Sequence, residues 1–115
     1  MNRLISAIAL SGVFVPAIAS AIDIEALSGQ RKRDACAAYI WMDINIRRDA
    51  GQMTQQAYSS EKTRLIFKVY TSKGYSYTPG RATAVDGYID AIVAENPDAV
   101  AVATNANACR TFLKL

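Results

Sequence analysis

Histidine is missing from all 115 residues, cysteine occurs twice and tryptophan once, and these shortages narrow the chemistry at the outset. Without imidazole there is no Ser-His-Asp or Cys-His couple and no histidine metal site. Two cysteines committed to one bridge leave neither a thiolate nucleophile nor a cysteine-rich zinc site. No Gly-x-Ser-x-Gly elbow occurs, and no glycine loop that would cradle phosphate. Carboxylate chemistry of the glycosidase kind needs two acids held across a cleft, and a short helical chain offers little cleft. The expectation is a protein that is not an enzyme, with no cofactor and no metal.

Among what is present, the first 21 residues carry the most information. Arg3 supplies a positive start, Leu4 to Ile22 is an uncharged run, and Ala19-Ser20-Ala21 is a small-x-small cleavage site. This pattern predicts a signal peptide over residues 1–21, cut after Ala21 or, as second choice, after Ala19. The localisation that follows is periplasmic or secreted. An alternative keeps the run as an anchor, since its 19 residues are about long enough to span a bilayer. Ala, Ser, Gly and Pro16 dilute it, however, and once it is cleaved no stable membrane anchor remains. Cys36 lies too far beyond the run to be a lipid-attachment site.

Removal of that segment leaves residues 22–115, 94 of the 115, as one domain with a marginal capacity to bury a core. A disulfide between Cys36 and Cys109 would close most of it into a loop, and the compartment favours oxidation. In the chain-entropy model the closure stabilises by about 4 kcal/mol. Two free thiols, or an intermolecular link, are the other states open to these cysteines.

The periodicity predicts an all-α domain of four helices. The first covers residues 30–49, and its centre, Ala35 to Ile46, is apolar nearly all the way round, as in a helix enclosed by others. Arg47 and Arg48 complement its macrodipole and Gly51 stops it. The second covers residues 54–72, with Tyr58, Leu65, Ile66 and Val69 on one side; a hairpin over residues 64–78 is the alternative. The third covers residues 83–95, with Val85, Tyr88, Ile89, Ile92 and Val93 on one face. Asn96 and Pro97 are expected to cap and open the fourth, to about Phe112, whose face of Val102, Ala106, Cys109 and Leu113 turns the cysteine inward.

Loss of Arg3 with the leader leaves 12 of the 13 basic side chains against 10 acidic ones, a net of +2. Residues 31–81 hold ten of the basic groups and four acids, whereas 82–115 holds Arg110 and Lys114 against Asp86, Asp90, Glu95 and Asp98. Nucleic acid is not an expected partner, because the compartment is wrong and no recognition motif accompanies the charge. Two sets of residues are candidates for binding another protein. Asp43 sits inside the apolar span with Arg47 at i+4, either as a structural ion pair or as a pair facing a partner. Tyr70, Tyr75, Tyr77 and Arg81 belong to a Tyr-, Ser- and Gly-rich stretch in which Pro79-Gly80 is expected to turn the chain.

Cys36-Ala37-Ala38-Tyr39-Ile40, and the run from Gly87 to Asp98 through Asn96-Pro97, resemble two families of small periplasmic helical proteins. One is the HdeA-like acid-stress chaperones, whose members join a Cys-x-x-aromatic helix start to a later helix ending near Asn-Pro. The other is the Tai-type immunity proteins of type VI secretion, which neutralise a peptidoglycan-cleaving effector. The partner cysteine of the first family would fall near Ile92 and here is Cys109; the second family implies a glycine after the Cys-x-x-Tyr helix turn and a further cysteine pair, and neither is found. Three functions follow as expectations: a protein-binding module, including an inhibitor or immunity protein; an acid-stress holdase; or an accessory subunit of an envelope complex. The expected partner is another protein, with a homodimer as a further option.

Overall fold

In a computed structural model of the chain, residues 22–69 and 79–115 are described. The expected signal peptide and Tyr70, Tyr75 and Tyr77 lie outside the described residues. Among the described residues, four α-helices follow a short 3-10 turn, Ile24–Ala26: α1 Gly29–Asp49, α2 Gln55–Val69, α3 Pro79–Glu95 and α4 Ala99–Leu113. No strand occurs among the described residues. Because α2 is helical through Val69, the first arm of the alternative hairpin is excluded.

The helices run up, down, up and down. Arg33 Nη2 donates to the carbonyl of Lys68, so the start of α1 meets the end of α2. Arg81 pairs with Asp34, which brings the start of α3 to the same end. Lys32 stands over the Phe112 ring at 4.6 Å, which adds the end of α4. Among the described residues, α2, α3 and α4 each pack mainly on α1 and little on one another. The central position of α1 explains its sequence: Ala35, Cys36, Ala37, Ala38, Tyr39 and Ile40 are consecutive and none exceeds 2% exposure. Alanines let three neighbours approach closely, and each fully buried Ile or Leu stabilises by about 1.5–3 kcal/mol.

Each neighbour buries the stripe expected of an amphipathic helix. Tyr58, Leu65 and Val69 of α2 are buried, as are Val85 and Ile92 of α3, and Val102, Ala106, Cys109 and Leu113 of α4. Val93 departs from expectation, standing exposed instead of joining the inner face of α3. The disulfide of Cys36 with Cys109 is formed across Cα atoms 5.0 Å apart.

Helix ends correct three sequence expectations. Pro79 and Gly80 are the first turn of α3, not a turn ahead of it, because proline lacks only an N–H that the first turn does not use. Arg81 is therefore on a helix. Asp98, not Asn96, caps α4, its carboxylate accepting from the Ala101 amide at 2.8 Å, and Pro97 therefore precedes the cap instead of opening the helix. Asn96 instead ends α3 in the left-handed region at φ 49°, a conformation that asparagine tolerates better than most residues. At the end of α1 the expectation holds. Gly51, at φ +74°, donates to the Arg48 carbonyl, and Gln52 donates to that of Arg47, the paired bonds of a Schellman motif.

Candidate partner-binding site

Because α2 and α4 both lean on α1 without closing on each other, a groove runs between them. Its floor is ionic. Asp43, with a side chain only 6% exposed, accepts from Arg110 Nη2 at 2.7 Å and from Arg47 Nε at 3.2 Å, both through Oδ2. Glu61 of α2 approaches both guanidinium groups at 3.4 Å. Two carboxylates and two guanidinium groups thus tie α1, α2 and α4 together. A buried carboxylate is tolerable only when its charge is matched and hydrogen-bonded, and two guanidinium groups on Oδ2 of Asp43 supply both. Asp43 and Arg47 do pair, as their spacing predicts, while Arg110 and Glu61 are partners that the chain order hides.

Above this floor lies a cavity of about 450 Å³ whose wall includes Arg64, Ala103 and Asn107. Arg64 also borders a second hollow, of about 490 Å³, lined by Thr63, Phe67 and Lys68 of α2 with Lys114 and Leu115 at the end of α4. The two hollows are therefore neighbours along one groove. The second is apolar in its walls and basic at its rim. Phe67 is 53% exposed there. No carboxylate of the described residues pairs with Arg64, Lys68 or Lys114.

Arg81 is placed elsewhere. Its Nη1 lies 3.0 Å from Oδ2 of Asp34, and Gln30 donates to the other oxygen of that buried carboxylate at 3.0 Å. The pair fastens α3 to α1, so Arg81 and the Asp43–Arg47 pair do not share a surface. Phe67, Arg64, Lys68 and Lys114 were not singled out by sequence, although a Phe and two cations at helical spacing on α2 carried a signal. Phe67 falls off the buried stripe of Tyr58, Leu65 and Val69; a lone exposed apolar side chain is ordinary, and Phe67 becomes informative only because it borders an apolar hollow together with Leu115.

Among the described residues no group of histidine, cysteine, aspartate or glutamate side chains could hold a metal ion, and no helix is long and apolar enough to cross a membrane. No family model matches the chain, and no curated protein and no solved structure matches it. The likenesses to acid-stress chaperones and immunity proteins therefore rest on the short stretches quoted above alone.

Proposed function

We propose that this protein is a small exported module that binds another protein and has no catalytic activity of its own. The observation that supports it is Phe67, half exposed at the mouth of a 490 Å³ hollow on a scaffold whose first and last helices are covalently joined. A large apolar side chain presented on a rigid frame loses little entropy on binding, which is the condition for an efficient anchor. Inhibitor and immunity proteins fall within this class.

Site-specific crosslinking in the native envelope tests the reading. A photoreactive phenylalanine analogue replaces Phe67 in one strain and exposed Gln56 in another. One discrete higher-mass product, found only with the first, is the expected result. No product, or the same products from both positions, overturns it.

The ionic floor supports a second reading, an acid-stress holdase. Glu61 is the group by which the cluster holds α2 to the guanidinium groups of α1 and α4; loss of that tie on protonation frees α2 and uncovers its buried Leu65, while the Cys36–Cys109 bridge keeps α4 on α1. Acid-dependent binding of an apolar dye, with suppression of client aggregation at the same pH, distinguishes this reading from the first.

A further inference from the structure

The up-and-down topology sorts charge by end. Arg31, Lys32 and Arg33 open α1, Lys68 lies in the last turn of α2, Arg81 in the first turn of α3, and Lys114 follows α4. All gather at one end of the bundle. Among the described residues the acids there are Asp34, already held by Arg81 and Gln30, and Asp23 and Glu25 just ahead of α1. At the opposite end stand Asp49, Glu95 and Asp98 with Arg47 and Arg48, the last of which pairs with Asp49.

Part of this basic end is unexplained by stability. Three consecutive cations at the start of α1 oppose its macrodipole, where acids would be favoured. Arg33 recovers a bond to α2 and Lys32 a place over the Phe112 ring, but Arg31 is exposed and has no ion-pair partner among the described residues. Arg64, Lys68 and Lys114 add three more cations around an apolar hollow, without carboxylate partners among the described residues. Stacked like charges repel one another, and a binding partner of opposite sign removes that penalty.

Resting on the protein-binding reading above, we propose that the groove between α2 and α4 takes an acidic polypeptide segment carrying a bulky apolar side chain. The apolar group enters the hollow beside Phe67, between Thr63 and Leu115, while carboxylates of the segment meet Arg64, Lys68 and Lys114. A concave site with cations on its rim suits one projecting side chain flanked by acids. A lipid surface would ask for a flatter, convex face with apolar residues outermost.

The test uses the full oxidised protein and a fluorescein-labelled decapeptide of glutamates around a central Leu-Phe pair, followed by anisotropy at low and physiological salt. Binding is expected, weakening as salt rises. The double variant Lys68→Glu with Lys114→Glu weakens it at least tenfold, and Phe67→Ser weakens it about tenfold. Lys62→Glu, on α2 but outside the hollow, changes it less than twofold. A peptide with lysine in place of glutamate does not bind. All positions changed are exposed, and the milder pair Lys68→Gln with Lys114→Gln repeats the measurement should the reversal disturb folding.

Absence of peptide binding at millimolar concentration overturns the proposal, as does affinity indifferent to Phe67 or to the two lysines. Retention of the protein on phosphatidylglycerol vesicles through Lys68 and Lys114, with no peptide binding, overturns it in favour of a lipid site. Crosslinking at Phe67 together with failure of the acidic peptide sinks this inference alone and leaves the protein-binding reading intact. Peptide binding that ignores the groove variants sinks it as well.

Discussion

Arg110 Nη2 reaches Asp43 Oδ2 at 2.7 Å across 67 positions of sequence, joining α4 to α1 beside the disulfide made by the preceding residue, Cys109. Adjacent residues thus supply a covalent and an ionic tie to the same helix. The carboxylate is nearly inaccessible to water and both of its cations are half-buried, so the bond is screened little by solvent.

Asp43→Asn keeps the shape and removes the charge. It is expected to cost about 2 kcal/mol, the range for hydrogen bonds to charged groups, read from urea denaturation of the oxidised protein. Glu61→Gln, with longer contacts and a more exposed side chain, is expected to cost less than about 1 kcal/mol. Equal losses for the two would contradict the geometry of the cluster.

Reduction of the disulfide, or the pair Cys36→Ala with Cys109→Ala, is expected to lower stability by about 4 kcal/mol, because a closure over 73 residues is released from the unfolded chain. Thermal denaturation with and without reductant measures it. A midpoint unmoved by reductant would mean that the bond contributes nothing to the fold.

Gly87 lies inside α3 with open space where a Cβ would stand. Gly87→Ala should therefore stabilise by about 0.8 kcal/mol through helix propensity and lower unfolded-state entropy. A rise in denaturation midpoint is the expected reading, and a fall would place an unrecognised contact at that surface.

Capping at the α3–α4 corner separates two neighbouring residues. Asp98→Ala removes the bond to the Ala101 amide and is expected to cost about 1 kcal/mol. Asn96→Gly relieves a left-handed conformation and is expected to be neutral or slightly stabilising. Chemical denaturation of both variants checks the assignment, and the reverse order would restore Asn96 as the cap.

The fold was legible where a local pattern determines the outcome. An apolar run without a polar stripe, from Ala35 to Ile40, announced a helix enclosed on every side, and the position of Cys109 on the Val102, Ala106 and Leu113 face announced the bridge. Boundaries with two competing chemistries were harder. Pro79-Gly80 fits a tight turn as well as a helix start, and the tertiary course of the chain, unlike the dipeptide, distinguishes them. Asn96 is suited both to cap one helix and to terminate another, and here it does the second.

The site was less legible because it is made by helices meeting. Asp43 and Arg47 share a helix, so their spacing exposed the pair. Arg110 and Glu61 come from helices that only the assembled bundle brings alongside. Even so, Asp43 follows Cys36 by two turns on the same side and Arg110 is the neighbour of Cys109, so the bridge alone brings the two within the length of an arginine side chain. The groove had a weaker mark, in Phe67 out of step with the inner stripe of α2.

The bridge has a further consequence wherever the chain meets a protease. Its two sulfurs enclose α2, α3 and every connection between helices, so a protease that severs the backbone anywhere within that span frees no fragment. The pieces stay docked around α1 and migrate together until a thiol reductant parts them.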